Sequence, residues 1–219
     1  MKKVISVILM LALCLAFVSC GSAKTAQDAA KDSTKETQPT QNESTAPDSG
    51  SADVPQTDNA DAKSVVVYFS VTGNTKKVAE HIAEATGSDI YEIVPKEPYS
   101  DDDIDYSNDN CRANKEMNDD SARPEIGGET LDLSGYDTVY LGYPIWWGIA
   151  AWPVDGFIEA KDFTGKTVIP FCTSASSGLG ESAKLLKEAA GTGNWLEGRR
   201  FSSGATETEV DEWIKALGY

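Results

Sequence analysis

Five apolar residues, Val65-Val66-Val67-Tyr68-Phe69, run directly into a small hydroxyl-rich turn, Ser70-Val71-Thr72-Gly73-Asn74-Thr75. A helical pattern follows at once, with Val78, Ala79, Ile82 and Ala83 on one face and Gly87 after its end. A strand, a tight turn and a helix start in that order create an anion site. The first backbone N–H groups of the helix have no partner within the helix, and its positive dipole end points the same way. Ser70, Thr72 and Thr75 add hydroxyls, and Gly73 permits positive φ and close approach of a ligand to the backbone. No lysine stands in the turn, and the Gly-Lys-Ser/Thr ending of a triphosphate loop is absent. The turn suits one phosphate held by neutral donors, as in a mononucleotide cofactor.

The same alternation continues downstream. Strand signals fall at Ile90–Val94, Asp137–Tyr143, Lys166–Phe171 and about Arg199–Ser202. Helix signals fall at about Trp152–Ala160, Glu181–Ala190 and Glu207–Leu217. Pro170 lacks a ladder N–H and is expected at a strand end. A short helix is expected within Asn108–Met117, in a long connection from Lys96 to Thr130 that offers a lid. Alternating β and α elements imply a parallel sheet covered on both faces, with ligands at the carboxyl ends of its strands. Two further strand ends are then informative. Tyr143-Pro144-Ile145-Trp146-Trp147-Gly148 carries two flat indoles suited to stacking on an aromatic ring. Thr173-Ser174-Ala175-Ser176-Ser177-Gly178-Leu179-Gly180 is small and hydroxyl-rich, so its backbone can approach a polar heterocycle edge.

Three segments differ in composition. Lys2 and Lys3 precede an apolar run, Val4 to Val18, that ends at Ser19-Cys20-Gly21. Residues 1–19 therefore read as a signal peptide, too short for a transmembrane helix of about 20 residues. Phe17-Val18-Ser19-Cys20 resembles the cleavage box of bacterial lipoproteins, which implies an exported protein lipid-anchored through Cys20 and facing outside the cytoplasm. Residues 20–63 are rich in Ser, Thr, Ala, Gln, Asp and Pro, the composition of a disordered tether. Residues 64–219 are the one folded domain.

The chain's net charge is −16, which argues against nucleic acid as a partner. Asp101-Asp102-Asp103 with Asp105 matches no calcium loop and reads as solvated. His81, the only histidine, lies in the first helical pattern, so neither a histidine triad nor a histidine metal site is supported. Cys111 and Cys172 are the two cysteines of the domain, and sequence leaves their pairing open.

From Ser64 to Tyr219 the chain resembles the flavodoxin-like family, in the branch of exported lipoproteins. Ser70-x-Thr72-Gly73-Asn74-Thr75 is similar to that family's FMN-phosphate loop. Trp147-Gly148 is similar to the loop whose aromatic residue stacks on the flavin, and Thr173 to Gly180 is placed like the loop at the flavin's pyrimidine end. The resemblance implies an α/β fold: a doubly wound, five-stranded parallel sheet, order 2-1-3-4-5, with helices on both faces. It implies FMN as cofactor, with Ser70, Thr72, Gly73, Asn74, Thr75, Pro144, Ile145, Trp146, Trp147, Gly148, Thr173, Ser174, Ala175 and Gly178 as binding residues. Trp147 is expected to stack on the flavin and Trp146 to anchor the core. No side chain is needed as a nucleophile, and no metal is implied. The expected role is electron transfer with a redox protein or a small-molecule donor or acceptor, and contact with membrane through the lipid anchor alone. Two alternatives stand beside it: an FMN-dependent oxidoreductase acting on a quinone-like molecule, and a cofactor-free binding module. The loop from Thr173 to Gly180 departs from many flavodoxins in having no aromatic residue to cover the second flavin face.

Overall fold

The computed structural model describes residues 63–218 of the 219-residue chain. The expected signal peptide (1–19), Cys20 and the expected tether up to residue 62 lie outside the described residues. Lys63 already belongs to the domain, since its carbonyl accepts the N–H of Asp137 at 2.8 Å.

The first strand, β1 (Ser64–Tyr68), has four of its five residues buried. That follows from an unbroken apolar run, which suits a strand covered on both faces. Helix α1 (Asn74–Thr86) buries Thr75, Val78, Ala79 and Ile82, and ends on Gly87 in the left-handed conformation. Strand β2 (Asp89–Glu92) returns parallel to β1. The long connection carries a 3₁₀ turn (Asp102–Ile104) and the short helix α2 (Arg112–Met117). Strand β3 (Thr138–Trp146) pairs with β1 and turns back into β4 (Ile149–Ala150). Then come α3 (Trp152–Glu159), β5 (Thr167–Thr173), α4 (Ser182–Ala190), β6 (Asn194–Trp195), β7 (Arg199–Phe201) and α5 (Glu207–Ala216).

The sheet runs β2-β1-β3-β5-β6, with β7 also paired to β5. All of these pairings are parallel. Strands β6 and β7 share the outer position, one against each end of β5, so the order is the expected 2-1-3-4-5 with a broken last strand. Alternation along the strands feeds two cores. Val65, Val67, Val139, Leu141 and Val168 face α3 and α4, while Val66, Tyr68, Tyr140, Ile169 and Phe171 face α1 and α5. The second layer is close-packed through β3: a Cβ at Gly142 would stand 2.2 Å from the Phe171 ring.

Two expectations need correction. Pro170 sits inside β5 opposite Leu141 rather than at its end. The carbonyls of Lys166 and Val168 receive the N–H groups of Asn194 and Leu196, so by strand alternation Pro170 faces the same edge. There β6 has ended and β7 has not begun, and a missing N–H costs nothing. The second correction concerns β3. It does not stop at Tyr143 but continues through Pro144, Ile145 and Trp146 into an antiparallel hairpin with β4.

Candidate functional site

A cavity of about 320 Å³ opens where β1, β3, β5 and β7 end. A larger one, about 500 Å³, lies at the opposite ends of the strands, against Ser134 and Lys166. Its two lysines, Lys161 and Lys166, already donate to the carbonyls of Leu131 and Tyr136 at 2.6 and 2.7 Å. In open parallel sheets ligands bind beyond the carboxyl ends, which favours the first cavity.

The turn after β1 forms its floor. Gly73 is left-handed, with φ of 83°, and is the N-cap of α1. No side chain caps that helix start, whereas Thr206 and Glu209 close the start of α5 as a reciprocal capping box. The Gly73 N–H donates to Ser70 Oγ at 3.1 Å, and the Asn74 side-chain amide donates to Thr72 Oγ1 at 3.0 Å. Both hydroxyls act here as acceptors, so each keeps its own proton for a ligand. Thr75 is buried, and its hydroxyl meets that of Thr173 on β5 at 2.7 Å. This bond ties the start of α1 to the end of β5.

The loop after β5 is fixed from below. Arg200 on β7 donates from Nε to Ser174 Oγ at 3.0 Å, and from Nη2 to the Ser174 and Ala175 carbonyls at 2.7 and 3.0 Å. The Ser174 hydroxyl donates in turn to the Ser177 carbonyl. Its hydrogen-bonding capacity is used within the loop, and its part in the cavity is shape. Every residue lining this cavity is uncharged. Asp103 and Asp105 flank the lining residue Ile104 in the chain, and hydrogen bonds from Ser100 and Ser107 hold their carboxyls below the usual range.

The aromatic wall differs from the expectation. Trp146 lines the cavity while its ring packs into the core, edge-on to Phe69 and Tyr99 at 5.6 and 5.1 Å. Trp147 does not line it. Trp147 and Gly148 are the two central residues of the β3–β4 hairpin, both at positive φ, 46° and 88°. The sharp turn swings the Trp147 ring away, to stack on Trp152 at 6.0 Å and 17°. Tyr106 lines the cavity beside Ile104, is 52% exposed, and stands edge-on to Trp147 at 4.7 Å.

The cavity thus assembles Ser70, Thr72, Asn74, Thr75, Pro144, Ile145, Trp146, Thr173, Ser174 and Ala175 from the sequence reading. Gly73 contributes backbone geometry between Thr72 and Asn74. Trp147, Gly148 and Gly178 are not among the lining residues. Val71, Ile104, Tyr106 and Ser203 line it without having been anticipated. Ser203 follows β7, so the strand-end rule pointed to it. Ile104 and Tyr106 lie in a connection without periodicity, which carries no signal that singles them out. Cys111 and Cys172 are separate buried thiols. Cys111 accepts the Asn114 N–H at the start of α2, and burial pushes the Cys172 thiol up to about 12.

The chain matches the family described as flavodoxin over residues 63–217. It is similar to a candidate flavoprotein from Bacteroides eggerthii, at 40% identity and a TM-score of 0.66 over 72% of this chain and 99% of that one. A second, from Bacteroides uniformis, gives 42% and 0.67 over 70% and 98%. A flavoprotein from Lactobacillus acidophilus, crystallised in complex with FMN, gives 26% and 0.54 over 70% and 99%. No curated protein matches the chain.

Proposed function

This chain belongs to the flavodoxin family, and from that premise we propose that it binds FMN in the hydroxyl-lined cavity and serves in electron transfer. The observation that carries the reading is the open start of α1, facing the cavity with two hydroxyls that keep their protons. The residues fit a phosphate monoester: partial positive charge from the helix, neutral donors, and no carboxylate in the lining to repel a dianion. The similarity to an FMN-complexed flavoprotein supports the same assignment.

In this reading Ser70, Thr72, Thr75 and the first N–H groups of α1 hold the phosphate. Ile145, Trp146 and Tyr106 bound the flavin ring, and the Thr173–Ala175 segment meets its polar edge. When bound, the flavin supplies the redox chemistry, and the protein supplies position and field. The partner in that role is a redox protein or a small electron donor or acceptor, not nucleic acid. Cys20 is the lipid anchor, and the domain works outside the cytoplasm at the end of its tether.

The test is an absorption spectrum with flavin identification on the full-length protein purified from its native host. We expect a yellow protein releasing FMN, and an apoprotein that binds FMN more tightly than riboflavin. A colourless protein that does not take up FMN would overturn the reading.

A further inference from the structure

A second concavity, of about 390 Å³, opens between the tip of the β3–β4 hairpin, the outer faces of α3 and α4, and the segment after α2. One side of it is aromatic and apolar. Trp147 and Trp152 stand with rings nearly parallel, and Leu185 reaches it from α4 while 43% exposed. On that helix only Ser182 and Leu186 are buried. The indole N–H of Trp152, a residue only 6% exposed, has no hydrogen-bond partner.

The other side is acidic, and most of its charge is accounted for. Glu116 is held by Arg112 at 2.8 Å, Glu159 by Arg123 at 2.8 Å, and Asp119 by the Ser121 N–H and hydroxyl. Asp120 is exposed to solvent, whereas Asp155 is half-buried. It stands three residues after Trp152 and four before Glu159, on one face of α3. No hydrogen bond from another described residue reaches its carboxylate. Arg123 acts on it only through its field and is already committed to Glu159. A half-buried carboxylate that receives no hydrogen bond from the protein leaves its charge to be met by solvent or by a ligand in the concavity.

We propose that this concavity binds a small organic cation with a flat apolar body, of the aryl-amidinium or aryl-ammonium class. Asp155 receives its charge, while Trp147, Trp152 and Leu185 receive its body. An anion is disfavoured because the walls hold carboxylates in excess and their one guanidinium is engaged. A bare metal ion is disfavoured as well. It asks for several oxygens converging on one point, and among the described residues no three His, Cys, Asp or Glu side chains converge in that way. Indole faces beside a partly desolvated carboxylate match the two halves of such a cation separately. The volume lies within the range of small-molecule sites. The site does not depend on FMN, although Trp147 also touches Tyr106 of the first cavity.

The test uses the full chain, with benzamidine as the cation and benzamide as its uncharged counterpart, read by tryptophan fluorescence and calorimetry at neutral pH. We expect saturable benzamidine binding, with benzamide about ten-fold weaker or worse. Asp155→Asn should abolish the preference for the cation, and Leu185→Ala, on an exposed position, should weaken both probes. Circular dichroism confirms that each variant is folded. Equal affinity for the two probes, an unchanged preference in folded Asp155→Asn, or no saturation by about 10 mM would each overturn the proposal.

Discussion

The hydroxyl pair Thr75–Thr173 joins the start of α1 to the end of β5 beside the cavity, and its removal separates a strut from a ligand contact. Thr75 is 1% exposed and Thr173 4%, with oxygens 2.7 Å apart. Thr75→Val keeps the shape and deletes the hydroxyl. It leaves Thr173 Oγ1 buried without its partner, at a cost of about 1–3 kcal/mol. For a domain of this length each kcal/mol lowers the melting temperature by about 2–4 °C, so the apoprotein should melt about 2–12 °C lower. Replacing both residues by Val removes both polar groups and should recover most of that loss. The double-mutant cycle in urea should therefore show a coupling of about 1–3 kcal/mol.

Ligand affinity supplies the second readout. Either hydroxyl of the pair can donate, and on the proposed FMN reading donation from Thr173 to Thr75 leaves the Thr75 proton for the phosphate. Thr75→Val should then weaken FMN by about ten- to a hundred-fold and leave riboflavin, which has no phosphate, nearly unchanged. A single variant that melts like the wild type, together with additive costs in the double variant, would refute the strut. Equal weakening of FMN and riboflavin would refute the phosphate contact.

Tyr106→Ala should weaken FMN and riboflavin alike, by more than Trp147→Ala does, because Tyr106 and not Trp147 lines the cavity; fluorescence titration of the apoprotein checks the order. Trp146→Ala should cost about 3–5 kcal/mol of apoprotein stability, as for a buried aromatic residue, measured by urea unfolding. Burial raises the Asp155 carboxyl from 3.8 to about 6, against the opposing field of Arg123 and with the help of Glu159. The folded state thus holds that proton more tightly than the unfolded one, and stability falls as pH rises from about 4 to 6. Asp155→Asn should flatten that part of the stability–pH curve. Cys20→Ser should release the protein from membranes and abolish the lipid mass shift, seen by fractionation and mass spectrometry.

The centre of the sheet was legible because β1, β3 and β5 are buried on both faces, so Val65–Phe69, Val139–Leu141 and Val168–Phe171 read as apolar runs. The turn after β1 was legible for a different reason. Its shape lies in the backbone and in the left-handed Gly73, and a sequence reports those through local spacing alone. Tyr106 was not legible, since a connection without periodicity does not reveal which of its residues folds back over a cavity. Pro170 was misplaced because propensity treats a strand edge as continuous, whereas this one is shared by two short strands with a gap between them.

The two adjacent tryptophans show where local reading stops and topology decides. Neighbouring residues on a strand point to opposite faces, so one of the pair had to turn away from whatever the other faced. Composition cannot say which, but backbone conformation can. The step from β3 into β4 has only two central residues, and it takes the type I′ form, which matches strand twist with positive φ at both. Gly148 meets that demand freely, while Trp147 meets it with strain at φ 46°. Stacking on Trp152 and contact with Tyr106 offset that strain. Trp146, still on the strand, keeps the inward direction and carries the cavity wall. The assignment therefore follows from where β3 ends, one residue short of where an aromatic–glycine pair suggests a loop.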